Sequence, residues 1–256
     1  EDQLKEVVEK LVQNSLMAKL ADLGIGPETK AEDTELDSEQ EELVDEVLEA
    51  TEAAEESGIE FDPWEYITLG NAAKLRGRTF PAEGYYREAL RLFLESGNRD
   101  GEAASLGSLG IIAYRRGDYD EAERLYNESL AIQREFGNHR REAISLNNLG
   151  IIADDRGDLD ESERLYNEAL AIRREIGDRL GEEYSLDALG DIAAARGDLD
   201  EAERLYRESV RIKNEIGVPL ADWYVKNGYT DPDAPWDFPP PGRPPVPPAV
   251  SKEDES

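Results

Sequence analysis

The sequence predicts an all-α protein, an α-α superhelix of four forty-residue repeats with capping helices at both ends. Two observations carry this. Residues 141–180 and 181–220, laid over one another, agree at 23 of forty positions. No segment alternates apolar and polar residues with period two, so nothing reads as a strand. Composition fits as well: 39% apolar residues is low for a globular domain but suits an array whose core is a thin strip between two helix layers.

Along the chain, residues 1–24 read as an amphipathic helix, with Leu4, Val7, Val8, Leu11, Val12, Leu16 and Leu20 on one face. Gly, Pro and acidic residues make 25–37 a linker. A capping helix is expected in 38–60, with Leu43, Val44, Val47, Leu48 and Ala54 inward and Glu41, Glu42, Glu46 and Glu49 as its polar outer face. The repeats occupy 61–100, 101–140, 141–180 and 181–220. Each reads as two helices. In the third, Ile144, Leu146, Leu149, Ile152 and Ala153 form one apolar stripe, and Leu165, Tyr166, Ala169, Leu170 and Ile172 form the next. Arg156-Gly157 ends the first helix, because glycine readily takes the left-handed conformation. Asp158 and Glu161 have the spacing of a capping box for the second. A short closing helix is predicted in 218–230. The proline-rich, acidic tail 231–256 reads as polyproline II or disordered.

The order Leu-Gly-x-x-small, then small-x-x-x-Tyr-x-x-small, recurs in three repeats. It reads Leu109-Gly110 to Ala113 with Ala122, Tyr126 and Ser129; Leu149-Gly150 to Ala153 with Ser162, Tyr166 and Ala169; and Leu189-Gly190 to Ala193 with Ala202, Tyr206 and Ser209. Small residues let two helices approach and the tyrosine fills the space between them. This pattern resembles the tetratricopeptide repeat (TPR) family. The period of 40 and the missing terminal proline are similar to the long-helix variant of kinesin light chains and of the sensor arrays of signalling ATPases. The extra residues are expected to lengthen the second helix.

The resemblance implies a non-catalytic scaffold that binds a protein or peptide in a concave groove. The alternative is a sensor or regulatory module of a larger signalling ATPase or transcriptional regulator. If the register carries over, first helices expose Asn71, Lys74, Tyr114, Arg115, Asn147, Ile151, Asp154, Asp187 and Asp191 to that groove. Asn147 and Asn148 have the chemistry to hold a peptide backbone, since an amide both donates and accepts.

The net charge of −31, from 60 acidic residues against 21 Arg and 8 Lys, opposes nucleic-acid binding. It predicts a salt-adapted surface, hence a cytoplasmic protein of a halophilic prokaryote, or a partner with a basic segment. The acidic polar face of helix 1–24 also disfavours membranes, and its apolar face suits self-association. Without cysteine, and with His139 alone in a turn, no metal site, cofactor or nucleophile is expected. The acidic pairs Asp154-Asp155 and Glu182-Glu183 should point apart and stay wet, so no catalytic dyad forms. Arg-Gly-Asp, ending at Asp118, Asp158 and Asp198, reads as repeat punctuation rather than an adhesion motif.

Overall fold

The computed structural model describes residues 2–29, 34–220, 222–226 and 228–236. They form eleven helices and no strand. The chain divides into two compact units, residues 1–125 and 126–256.

The first unit begins with α1 (Asp2–Asp22) and α2 (Ser38–Glu56). Among the described side chains of the α1 stripe, Leu16 and Leu20 are buried, while Val7, Val8 and Leu11 are half or more exposed. Asp37 caps α2 in a complete capping box with Gln40, each arm 2.9 Å. The same device starts α3 (Pro63–Leu75), where Asp62 and Glu65 cap reciprocally and Pro63 takes the first helical position. Next come α4 (Thr79–Ser96), α5 (Arg99–Arg115) and α6 (Tyr119–Phe136), within which the units divide.

The second unit continues with α7 (His139–Asp155), α8 (Leu159–Ile176), α9 (Arg179–Ala195), α10 (Leu199–Ile216) and the short α11 (Asp222–Lys226). Its punctuation is local chemistry. Gly157 sits at φ 77°, and the amides of Gly157 and Asp158 return to the carbonyls of Asp154 and Ala153. Asp158 accepts the amide of Glu161 at 3.2 Å, so Arg-Gly-Asp is a cap, a turn and a cap. The reciprocal arm of the expected box does not close, because the Glu161 carboxylate turns to Arg164 (2.6 and 2.8 Å). The extra length is shared by both helices: α5, α7 and α9 have 17 residues, and α6, α8 and α10 have 18.

Packing follows the small-residue pattern. Gly150 faces the Tyr166 ring and Gly190 the Tyr206 ring; a Cβ would press on the first at 3.0 Å and collide with the second at 2.5 Å. The core there is Leu186, Leu189, Ile192, Leu205, Val210 and Ile212, all buried. An arginine ladder joins successive hairpins: Arg134 pairs with Glu142 (2.9 Å) and Glu168, and Arg174 with Glu182 (2.9 Å) and Glu208 (2.6 Å).

Two expectations about polarity are corrected. Glu182 and Glu183 do point apart, but both are buried, the first on Arg174 and Arg179, the second on Lys213. In α8, Ile172 is only partly buried while Arg173 is buried. The tail is also shorter than expected. Residues 231–236 fold back on α10, where Arg207 donates to the carbonyls of Pro232 (2.6 Å) and Ala234 (2.8 Å). The remaining tail, 237–256, lies outside the described residues.

Candidate functional site

The nine expected groove positions do not share one environment. In the first unit Asn71 is 4% exposed and Lys74 6%, so neither is the open residue the register implied. For Asn71 the cause is the start of the linker, which packs on α3. The Asn71 amide donates to the carbonyls of Gly26 (2.8 Å) and Pro27 (3.2 Å), while its Oδ1 accepts the Tyr86 hydroxyl at 2.7 Å. Ile25, beside those carbonyls, is fully buried. Tyr114 and Arg115, near the end of α5, are partly exposed, and Tyr114 stacks on Tyr119 at 5.7 Å.

In the second unit α7 presents Asn147 and Ile151, partly exposed, and Asp154, exposed. Asn147 is oriented from below: its Oδ1 accepts from Arg173 at 3.2 Å, and the same guanidinium nitrogen donates to the Gly181 carbonyl and the Ser185 hydroxyl, both at 2.7 Å. A guanidinium only donates, so it selects the amide oxygen and turns the Asn147 NH2 away. Burial draws the Arg173 guanidinium below its ordinary value, opposed first by Asp178. Partial desolvation, then the neighbouring Asp155 charge, raises the Asp154 carboxyl.

On α9, Asp187 and Asp191 are partly exposed and already engaged. Asp191 accepts the Tyr206 hydroxyl at 2.6 Å, the same relation that Asn71 has to Tyr86. Asp187 accepts from Ser209 (3.3 Å) and from Tyr224 of α11. Ile151 stands at the corresponding position of the third repeat and offers Tyr166 no such acceptor. The Tyr166 hydroxyl is nevertheless raised, by burial and then by the charges of Asp154 and Asp191.

Sequence reasoning missed Tyr184, which is 51% exposed on α9, one turn before Asp187. The signal was present: the position enlarges from Ala104 through Ile144 to Tyr184 along the repeats. Among the described residues no group of His, Asp or Glu is arranged to hold a metal ion, and no helix is long and apolar enough to cross a membrane.

The tetratricopeptide-repeat family model matches residues 64–135, 102–175 and 141–215, more than half of the chain. The chain belongs to the tetratricopeptide-repeat family. Solved structures agree on the fold. BtubC (BKLC) from P. vanneervenii is 24% identical with a TM-score of 0.57, over 72% of this chain and 75% of its own. TPR-like repeats attributed to a kinesin light chain of Podosopora anserina give 18% and 0.55, over 69% and 90%. RapI in its apo form gives 17% and 0.60, over 75% of this chain and 59% of that one. A search of curated proteins found no match. Families of this kind are generally non-catalytic protein-interaction modules.

Proposed function

We propose that this TPR protein is a non-catalytic scaffold whose first-helix faces hold a peptide with a basic segment, and that α7 supplies the most open part of that surface. The observation that carries this reading is the row Asn147, Ile151 and Asp154. It combines a pre-oriented amide, a partly exposed apolar side chain and a carboxylate that meets no cation among the described residues. The amide is suited to a main-chain carbonyl, the isoleucine to an aliphatic side chain, and Asp154 to a lysine or arginine. An uncompensated, partly desolvated carboxylate favours a cation more than a solvated one does. Lys74 and Asn71 are assigned to packing instead, and Asp187 and Asp191 to contacts within the chain.

An array of synthetic twelve-residue peptides, matched in composition but differing in Lys and Arg content, tests this. Basic peptides should bind and neutral ones should not. Asp154→Asn should weaken the basic peptides about two- to fivefold, the range of an exposed ion pair, and flatten their salt dependence. Asn147→Ala should weaken all of them. Equal binding of basic and neutral peptides, or indifference to both substitutions, would remove the reading. A second surface belongs to α1, whose exposed Val7, Val8 and Leu11 suit self-association.

A further inference from the structure

Tyr86, Tyr166 and Tyr206 occupy equivalent places, each ring lying against the glycine of a Leu-Gly pair. The residue after that glycine decides what the hydroxyl meets. In the first repeat it is Asn71, whose Oδ1 accepts the Tyr86 hydroxyl at 2.7 Å. In the fourth it is Asp191, which accepts the Tyr206 hydroxyl at 2.6 Å. In the third it is Ile151, which has no acceptor to offer. Tyr166 is 5% exposed, and among the described residues its hydroxyl makes no hydrogen bond. A buried donor left unused is costly, and such groups are few in native proteins.

The ring meets Gly150 through Cε1 and Cζ, 3.0 and 3.1 Å from where a Cβ would stand. Its hydroxyl end therefore arrives at the 150–151 step of α7, one helical turn beyond Asn147. Asn147 is a second donor on this face. Arg173 holds its Oδ1 at 3.2 Å, and its NH2 meets no acceptor among the described residues. The first repeat shows how such a face holds a stretch of backbone. There the Asn71 amide donates to the consecutive carbonyls of Gly26 (2.8 Å) and Pro27 (3.2 Å), and the neighbouring Ile25 is buried. Tyr86 takes part only through Asn71. With Ile151 in that place, the third repeat leaves the tyrosine hydroxyl itself for the backbone of a ligand.

We propose that the Tyr166 hydroxyl and the Asn147 amide act as a pair on one ligand: a peptide laid along α7 in extended form gives a main-chain carbonyl to each. One helical turn rises about 5.4 Å. Carbonyls on one edge of an extended chain recur every second residue, about 6.7 Å apart, and side-chain reach covers the difference. The proposal rests on the reading of α7 as a peptide-binding face. It adds the conformation of the peptide and a contact, Tyr166, whose ring is core and whose hydroxyl serves the ligand. Main-chain carbonyls are the same in every peptide, so this pair supplies affinity, and the choice of a basic side chain is left to Asp154.

Tyr166→Phe keeps the ring and removes only the hydroxyl. Titrated with the basic twelve-residue peptides, it should bind about three- to tenfold more weakly than the unchanged chain, as loss of one hydrogen bond allows. The loss should be the same at about 0.1 and 1 M KCl, because the hydroxyl carries no charge to screen; that of Asp154→Asn should shrink. Urea unfolding needs no peptide. Tyr166→Phe should keep the original midpoint, whereas Tyr206→Phe gives up the bond to Asp191 and should unfold at lower urea. With tyrosines isotope-labelled at Cζ, added peptide should move the Tyr166 resonance. Equal peptide affinity, or a Tyr166 resonance that stays still, would overturn the proposal and leave basic selection by Asp154 standing. A Tyr166→Phe midpoint lowered as far as that of Tyr206→Phe would also overturn it, since the hydroxyl would then have a partner within the chain. Should binding ignore peptide charge while Tyr166→Phe still weakens it, basic selection fails and this contact stands. Binding by none of the peptides removes both.

Discussion

Adding one methyl group at two equivalent glycines should have different consequences. A Cβ on Gly190 would lie 2.5 Å from Cε1 and 2.7 Å from Cδ1 of Tyr206; on Gly150 the same atoms of Tyr166 would be at 3.0 and 3.2 Å. In the third repeat a shift of a few tenths of an ångström relieves the contact, and Ile151 does not tether the ring. In the fourth, Tyr206 is held by Asp191 at 2.6 Å and packed against Tyr224. Replacing a mid-helix glycine with alanine gains about 1 kcal/mol in helix propensity. Overpacking costs about 1–3 kcal/mol, and a displaced Tyr206 would also lose a hydrogen bond of about 1 kcal/mol. Gly150→Ala should therefore fall within about 0.5 kcal/mol of the unchanged protein, as mild substitutions do. Gly190→Ala should lose about 1–3 kcal/mol. Urea unfolding followed by circular dichroism measures both. Gly190→Ala/Asp191→Ile copies the Gly150→Ala form of the third repeat and frees the ring, so it should be less destabilised than Gly190→Ala alone. A Gly190→Ala protein as stable as the original, or a Gly150→Ala protein that is the weaker of the two, would refute the argument.

Three other outcomes are expected. Tyr166→Ala should cost about 3–5 kcal/mol and spread unfolding to neighbouring hairpins, as hydrogen exchange in α7 and α9 would show; unaltered stability would count against a packing role. Glu183 is raised above the ordinary carboxyl value by burial and then by Asp187. The native state thus keeps the proton that the unfolded chain releases, and this group's contribution falls as pH climbs above that value. Unfolding at several pH values should show Glu183→Gln gaining on the original protein as pH rises, and parallel curves would contradict this. The charge of −31 should make the fold more stable at about 2 M than at about 0.1 M KCl, because salt screens self-repulsion; equal melting temperatures would exclude salt adaptation.

The two-helix repeat, its turns and its core stripe were legible because their causes are local. Gly157 is needed for a left-handed turn, Asp158 for a free helix end, and Gly190 for the ring of a tyrosine sixteen residues on. Periodicity then multiplied each signal. The third-repeat register also carried Asn147 and Ile151 to partly exposed positions on α7 and Asp154 to an exposed one. Even so, the box at Asp158 stayed half closed, because Arg164 competes for Glu161 at shorter range than the helix end does.

The sequence by itself determined which residues face a helix neighbour and where each helix stops. Whether a polar residue on a first helix is open to a partner was decided only in three dimensions. Asn71 is covered by carbonyls 45 and 44 residues away, Asp187 is met by a tyrosine 37 residues away, and buried Arg173 directs one guanidinium nitrogen to Asn147, Gly181 and Ser185. A buried polar group is tolerated only when distant donors or acceptors replace the water it loses. The partners of Asn71 and Asp187 come from the linker and the C-terminal segment, which lie outside the repeat and so leave no trace in its period.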